Sequence, residues 1–192
     1  MHSQVLQLDV QGTPQRWITP EQAALYYAAE TVVWTVGDTP LLKLRGGYNA
    51  HMQRQSTLDI APIIAVRGQA GVNLFDLVPT VTRRKLFHRD RLTCAYCGTR
   101  CDWRQLQAEH IVPESRGGQY TWTNGVSSGP WVEGPGCNAR KGARMPEEAS
   151  MKLLYIPYVP SRWEDLLLQG RNIRADVHEW LAAKLPKTSR LH

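Results

Sequence analysis

An acid and a histidine stand side by side in the stretch AEHIVPESRGG, which covers residues 108–118. Histidine titrates near neutral pH, so His110 can take a proton from water and act as a general base. Glu109 offers carboxylate oxygens, which are the ligands that hard cations such as Mg²⁺ and Mn²⁺ prefer. Arg116 and the two glycines behind it predict a positively charged turn for a phosphate. Together these residue types indicate a site that holds a metal ion and a phosphate.

Two asparagines and three basic residues extend this pattern further along the chain. The amide of Asn124 can bond backbone groups across a loop and so orient His110. Asn138 directly follows Cys137 and can supply a neutral oxygen to the metal. Three cations follow on a predicted short helix: Arg140, Lys141 and Arg144. A base, a metal ion and nearby positive charges are what the hydrolysis of a phosphodiester requires.

All four cysteines lie within residues 94–137, and such clustering indicates metal binding in a chain with reduced thiols. Cys94 and Cys97 belong to CAYCG, where Cys-x-x-Cys followed by glycine predicts a tight knuckle that aims both thiolates at one Zn²⁺. Cys137 is predicted to be a third ligand, and Cys101 is the nearest candidate for a fourth. The alternative for Cys-x-x-Cys is a redox motif, which usually lies at a helix start after a strand.

In the order Cys-x-x-Cys, Glu-His, Asn and Cys-Asn-x-x-Lys-Gly, these motifs resemble the HNH endonuclease family over residues 83–151. The resemblance implies a ββα-metal core bracketed by zinc knuckles, and cleavage of DNA with Mg²⁺ or Mn²⁺. It implies that His110 is the general base and that Glu109 and Asn138 hold the metal. Asn124 corresponds to the residue that fixes the loop. The products would carry 5′-phosphate and 3′-hydroxyl ends.

The chain departs from this family where a second Cys-x-x-Cys is expected before Asn138. Gly134 stands at the position of its first cysteine, so the zinc has three obvious thiolate ligands. The segment between Asn124 and Cys137 is also longer than usual and rich in glycine and proline. We therefore keep two alternatives to a DNA endonuclease. One is a non-catalytic, zinc-containing protein that binds nucleic acid, and the other is a thiol-redox or other metal-binding protein.

Positive charge is concentrated in the part of the chain that holds these motifs. Residues 83–145 contain eleven Lys or Arg and five Asp or Glu, and this surplus equals the formal net charge of +6 for the whole chain. A local excess of cations favours a polyanion as partner, and the resemblance makes that partner DNA. Four residues are predicted to contact it: Arg116, Arg140, Lys141 and Arg144.

The scaffold that positions these residues is predicted to be α+β. Residues 1–80 are predicted to form a small mixed α/β unit, residues 83–151 the HNH core, and residues 152–192 a helical packing segment. In the first unit we expect a half-buried strand at QVLQLDV and a helix over 20–30 that begins with a capping box at Thr19. Further strands are expected at TVVWTV, PLLKLRGG and APIIAVRG.

Short helices are predicted around the core. A basic helix in RRKLFHRD is expected to contact phosphates, and another helix follows in PEEASM. The helix in SRWEDLLLQG begins with a capping box of Ser161 and Glu164. The last helix carries five apolar residues on one face: Ile173, Val177, Trp180, Leu181 and Leu185.

The sequence contains no apolar run near the roughly 20 residues that a membrane helix needs. Its first residues lack the basic start and apolar core of a signal peptide. We therefore expect a cytoplasmic protein without a membrane partner. One active site cuts one strand, so a double-strand break would require a dimer or two events.

Overall fold

The computed structural model describes residues 4–68, 77–129, 136–170 and 172–192. The chain is α+β, as the sequence predicts, and it divides into two compact units. Unit 1 comprises Met1–Asp76 and Gln169–Lys184, and unit 2 comprises Leu77–Leu168 and Leu185–His192. Residues 152–192, which were expected to be one packing segment, are shared between the two units.

The described residues contain eight strands, five helices and one 3₁₀ turn. The strands are β1 (Val5–Leu8), β2 (Pro14–Ile18), β3 (Val32–Val36), β4 (Leu42–Asn49), β5 (Arg54–Ile60), β6 (Ile63–Val66), β7 (Gln107–His110) and β8 (Gly125–Ser128). The helices are α1 (Pro20–Ala28), α2 (Arg83–Arg89), α3 (Cys137–Lys141), α4 (Arg162–Gln169) and α5 (Ala175–Ala182). The 3₁₀ turn covers Glu114–Arg116.

Strand β1 lies inside the four-stranded sheet of unit 1, whose order is β2-β1-β6-β3. It pairs antiparallel with β2 and parallel with β6, so both of its edges are covered. All four of its residues are buried, and the expectation of a half-buried strand is wrong on this point. The side chain of the buried Gln7 is satisfied at its oxygen, because Oε1 accepts a 2.9 Å hydrogen bond from Arg16 Nε, whereas its Nε2 has no partner among the described residues.

Helix α1 begins with the capping box that the sequence predicts. Thr19 Oγ1 accepts from the backbone N–H of Gln22 at 3.2 Å, and Gln22 Oε1 accepts from the N–H of Thr19 at 2.9 Å. The helix ends at Ala28, slightly earlier than expected. Glu30 already adopts the left-handed conformation with φ of 53°, which a continuing helix does not allow.

Strands β3, β4 and β6 lie in the segments predicted for them, whereas β2 and β5 were not predicted. β2 starts with proline and β5 reads RQSTLDI, so neither shows clear apolar alternation. β5 pairs with β4 as a two-stranded antiparallel ribbon. Pairing with a neighbouring backbone, rather than a side-chain pattern, therefore defines these two strands.

Unit 2 is built on the antiparallel hairpin of β7 and β8, in which His110 pairs with Gly125. Helix α2 packs on this hairpin, and α3 follows β8 along the chain, which gives the order strand–strand–helix of a ββα unit. One apolar cluster lies beneath α2: Leu86, Phe87, Cys101, Leu106, Trp122 and Leu168. A second surrounds two of the cysteines: Cys94, Ala95, Tyr96, Val126, Cys137, Ala149 and Met151.

A fully buried ion pair joins the end of α2 to this hairpin. Arg89 Nε lies 2.8 Å from Asp90 Oδ1, and Asp90 Oδ2 accepts a 2.8 Å hydrogen bond from the backbone N–H of Ser127 in β8. The guanidinium also donates to three backbone carbonyls: those of Trp122, Gly125 and Tyr158. Arg89 is therefore an internal crosslink and not one of the phosphate contacts expected from the basic helix.

Replacing Arg89 with methionine is expected to lower the free energy of unfolding by about 3–5 kcal/mol, because it leaves Asp90 as an unpaired buried charge. Urea denaturation followed by circular dichroism measures the change. The matched control is Arg116→Met, since Arg116 and Glu148 form an ion pair at 2.7 Å but are each nearly half exposed. That control is expected to change the free energy of unfolding far less, because solvent screens an exposed ion pair. Equal losses in the two variants would contradict the role assigned to Arg89.

In the C-terminal segment, the sequence-based prediction is confirmed at α4 but is wrong for the helix expected before it. Ser161 and Glu164 form the predicted capping box, with Glu164 Oε2 accepting from Ser161 N at 2.8 Å. The short helix predicted in PEEASM is instead a set of turns over 146–150, which end where Ser150 adopts a φ of 53°. In α5, Val177 and Leu181 are buried, as the apolar face predicts. None of the helices in the described ranges is long and apolar enough to cross a membrane.

Candidate functional site

Three thiols meet at one point of unit 2. The Sγ atoms of Cys94, Cys97 and Cys137 all lie within 4.8 Å of one another, and this is the one group of three or more His, Cys, Asp or Glu ligands found in the described residues. The CAYCG segment turns back on itself because Gly98 adopts a φ of 76° and donates to the carbonyl of Cys94 at 3.1 Å. Cys137 arrives as the first residue of α3. Three converging thiolates suit a structural Zn²⁺.

The pKa values of two of these thiols are shifted by burial and by neighbouring groups. Burial, together with the negative charge of Cys94, raises the pKa of Cys137 to about 12. Burial also acts to raise the pKa of Cys97, but hydrogen bonds with Thr99 and the neighbouring thiols outweigh it, so that pKa is lowered. Three negative charges in one small volume repel each other, and a divalent cation at their centre would offset that repulsion.

Cys101, the candidate for a fourth zinc ligand, lies outside the three-thiol group. Its Sγ lies 3.5 Å from the carbonyl oxygen of Thr99, and its side chain packs in the apolar cluster with Leu106 and Trp122. Burial and the charges of the nearby thiols raise its pKa, as expected for an inert structural cysteine. Gly134, where the family has another cysteine, falls in residues 130–135, outside the described part of the chain.

Glu109 and Lys141 form a buried ion pair between β7 and α3. Lys141 Nζ lies 2.8 Å from Glu109 Oε1, and the lysine side chain is fully buried. Lys141 was predicted to contact nucleic acid; that prediction is corrected here, because its ammonium group is directed into the protein. The motif shows that a lysine is present, but it does not show whether the fold places a carboxylate next to its ammonium group.

A second polar contact docks the same two elements. The Nδ2 group of Asn138 donates to Oε1 of Gln107. Gln107 and Glu109 are two residues apart in β7 and share one face of the strand. Asn138 and Lys141 are three residues apart in α3 and share one face of the helix. The two predicted metal ligands, Glu109 and Asn138, therefore lie on the facing surfaces of one strand and one helix.

His110 is half-buried and is the last residue of β7. Its ring centroid lies 5.5 Å from that of Tyr120, with the planes inclined at 56°. β7 and β8 pair without a register shift, so Glu109 and His110 alternate to opposite faces while the strand lasts. Tyr120 was not identified from the sequence, because the contact depends on how the loop after His110 folds back.

Asn124 bridges that loop through its side-chain amide. Its Oδ1 accepts from the N–H of Val112 at 2.8 Å, and its Nδ2 donates to the carbonyls of Val112 at 3.1 Å and Gln119 at 2.9 Å. Gly118 completes the loop, since a Cβ atom there would lie only 1.9 Å from the Val112 carbonyl oxygen. The loop after His110 is thus held at both of its ends by one side chain.

Replacing Asn124 with aspartate is expected to loosen this loop, because the carboxylate keeps the acceptor but loses both N–H donors and repels two carbonyls. We expect the free energy of local opening to fall by about 1–3 kcal/mol, which corresponds to roughly 5- to 150-fold faster amide exchange over residues 111–119. Hydrogen exchange with mass spectrometry measures it. In the control, Asn49→Asp, the side chain acts as an acceptor from His51 N and Met52 N, so exchange there should barely change. Unchanged exchange at 111–119 would refute the bridging role.

The remaining predicted nucleic-acid contacts lie nearer the surface. Arg116 is exposed, and its ion pair with Glu148 is exposed enough to be exchanged for a phosphate at little cost. Arg144 is exposed and donates to the carbonyls of Arg140 and Lys141 at the end of α3. Arg140 is half-buried. These three side chains remain candidates for contact with nucleic acid.

The HNH endonuclease family model matches residues 94–154, which run from the first knuckle cysteine through α3 to Leu154. This segment resembles the HNH endonuclease family. The matched segment contains every residue of the three-thiol group, both members of the Glu109–Lys141 pair, and His110 and Asn124. The match covers less than half of the chain. No curated protein and no solved structure gives a significant match to the sequence.

Proposed function

We propose that the protein is a metal-dependent DNA endonuclease, in which His110 is the general base and a divalent ion is held by Glu109 and Asn138. One observation carries the proposal: in a segment that matches the HNH family, the loop behind His110 is clamped by the amide of Asn124. A general base must be held in a defined orientation toward the water that it deprotonates. The amide clamp on the adjoining loop supports that role.

His110 takes the proton from a water molecule, and the resulting hydroxide attacks the phosphorus in line with the leaving oxygen. The half-buried ring has one side against Tyr120, which restricts its rotation. Asn124 acts on His110 through the backbone and is a positioning residue. By family resemblance, the products carry 5′-phosphate and 3′-hydroxyl ends.

A hard divalent cation fits the donors that β7 and α3 present to each other. Glu109 offers carboxylate oxygen and Asn138 offers amide oxygen, and both are ligands of the kind that Mg²⁺ and Mn²⁺ accept. Lys141 pairs with Oε1 of Glu109, so the second carboxylate oxygen would accept the ion. When bound, the ion would offset the negative charge that develops on the phosphoryl and leaving oxygens. Lys141 would orient Glu109 for this role.

A structural Zn²⁺ at Cys94, Cys97 and Cys137 would support this site through the first turn of α3. Cys137 immediately precedes Asn138, so a metal–sulfur bond at one residue fixes the backbone of the next. The knuckle is also tied to β8, because the N–H of Ala95 donates to the carbonyl of Ser127 at 2.8 Å. The zinc would therefore connect the knuckle, the hairpin and the helix that carries a predicted catalytic ligand.

A second candidate is a nucleic-acid-binding HNH domain without catalysis. Two contacts favour this candidate, because both proposed metal ligands already have protein partners. Glu109 pairs with Lys141, and Asn138 donates to Gln107. The two functions differ in one experiment: supercoiled plasmid is incubated with the protein and Mg²⁺ or Mn²⁺, beside the His110→Ala variant. An endonuclease nicks the plasmid and loses that activity in the variant. A binding protein shows only salt-sensitive retardation of the DNA.

A further inference from the structure

A cavity of about 420 Å³ in unit 2 is lined by arginines. Its lining residues, which we call the arginine pocket, are His88, Arg91, Leu92, Thr93, Arg100 and Arg190. Among the residues that the structure describes, none with an acidic side chain lines it. Partial burial and the charge of Arg84 lower the pKa of His88, so at neutral pH the positive charge of the pocket comes from the three guanidinium groups.

The other cations of α2 have partners within the protein, and even the exposed Arg83 donates to the carbonyl of Leu106 at 2.6 Å. Arg84 Nη1 donates to the carbonyl of Leu168 at 2.6 Å, and Lys85 Nζ pairs with Asp165 at 2.7 Å. Arg89 is fully buried. Arg91 and Arg100, in contrast, are exposed, and neither side chain has a hydrogen bond or ion pair with another described residue. The free positive charge of this region is therefore gathered at the pocket.

The backbone of the pocket is held in an unusual conformation. Arg91 and Leu92 adopt left-handed φ angles of 58° and 56°, which are unfavourable for residues with side chains. The conformation persists because Leu92 N donates to Phe87 O at 2.8 Å and Leu92 O accepts from Cys101 N at 2.9 Å. Thr93 also pairs with Arg100 as an isolated bridge, which brings the two arginine-bearing segments together.

The third guanidinium is positioned by an aromatic ring. The guanidinium carbon of Arg190 lies 3.9 Å from the ring centroid of Tyr155, a stacked arrangement that limits its rotation. Its Nε is buried and has no hydrogen-bond partner among the described residues. A buried donor of this kind is costly unless a ligand satisfies it.

We propose that the arginine pocket binds a backbone phosphate of the nucleic acid. Three like charges that converge without a carboxylate repel each other, and an anion between them removes that cost. Guanidinium groups match the oxygen geometry of a phosphate through paired N–H donors. His88, Arg91 and Arg190 lie outside the segment matched by the family, so this contact is a feature of the present chain and not of the motif. The inference rests on the proposed function for the identity of the polyanion.

Binding of a short fluorescein-labelled DNA duplex tests the proposal by fluorescence anisotropy over a series of NaCl concentrations. The protein carries His110→Ala and no divalent metal is added, so the result does not depend on cleavage. Arg91→Gln/Arg100→Gln is expected to weaken binding by about tenfold. It should also reduce the slope of log K against log salt by about 1, because one phosphate contact is lost.

The matched control is Arg45→Gln/Arg54→Gln, which removes the same charge from exposed positions of β4 and β5. It is expected to change affinity by less than about twofold, as screened surface charges do. Equal weakening by both double variants, or no weakening by the pocket variant, would overturn the proposal. The variant Arg91→Lys/Arg100→Lys should restore the salt slope but only part of the affinity, since lysine lacks the planar donor pair.

A calorimetric titration with inorganic phosphate distinguishes nucleic acid from a small phosphate compound as the ligand. Phosphate binding that is lost in Arg91→Gln/Arg100→Gln, combined with an unchanged affinity for the duplex, would overturn the assignment to nucleic acid. Loss of duplex affinity in the same variant supports it. Failure of the plasmid assay would leave this outcome intact, because binding and nicking are measured separately.

Discussion

The substitution His110→Ala is expected to reduce the rate of plasmid nicking by about 10²–10⁴-fold, which is the range that a positioned general base contributes. The reason is chemical, because without the imidazole the attacking water keeps its proton at neutral pH. Affinity for DNA should change little, because the imidazole is assigned to the attacking water and not to a phosphate contact. The rate of conversion of supercoiled to open-circular plasmid in Mg²⁺ or Mn²⁺ measures the loss.

The matched control for this experiment is His178→Ala. His178 is an exposed histidine on α5 of unit 1, and its removal should leave nicking unchanged. If His110→Ala nicked DNA as fast as the parent protein, His110 would not be the general base. If neither protein nicked DNA while both bound it, the non-catalytic candidate would replace the endonuclease.

The substitution Cys137→Ser is expected to abolish zinc binding and to destabilise the segment that matches the HNH family. The purified parent protein should contain zinc close to one equivalent, and structural zinc sites in small domains contribute about 10–16 kcal/mol of apparent binding free energy at neutral pH. Loss of one of three thiolates removes most of it. The apolar cluster around Ala95, Val126 and Met151 would then be the main contribution left to hold the knuckle against β8. Elemental analysis and thermal unfolding measure the two effects.

Cys101→Ser is the control for Cys137→Ser, because Cys101 is buried but lies outside the three-thiol group. It should keep its zinc and lose only the modest stability of a buried thiol. Equal loss of zinc from both variants would contradict the three-thiol site. Thiol labelling separates the redox alternative: zinc-bound Cys94 and Cys97 should react only after a chelator is added, whereas a redox pair would react at once.

The two experiments address different parts of one site. His110→Ala tests the chemistry and leaves the fold intact, whereas Cys137→Ser tests the scaffold. A protein that loses zinc but still nicks DNA would show that α3 can hold Asn138 without the metal. In that case the Glu109–Lys141 pair and the Asn138–Gln107 bond would be sufficient to dock the helix on β7.

The local features of this protein could be predicted from sequence because each depends on residues close together in the chain. The capping boxes at Thr19 and Ser161 are examples, since both partners lie within one turn of helix. The knuckle at Cys94 and Cys97 is another, because the spacing and the following glycine determine the turn. The bridging amide of Asn124 could be anticipated because its partners lie in the loop that the residue closes.

Only the tertiary structure determines which of the charged and polar side chains are buried and which are exposed. In the sequence, Lys141 and Arg89 are basic residues of the same charged segment as Arg91 and Arg100. In the structure, Lys141 and Arg89 are buried, whereas Arg91 and Arg100 are exposed. Burial of a charge is tolerated only where a distant segment supplies a carboxylate or several carbonyls. Most of these partners are far away in sequence, so the motif reports which residues are present, and the fold decides which of them reach solvent.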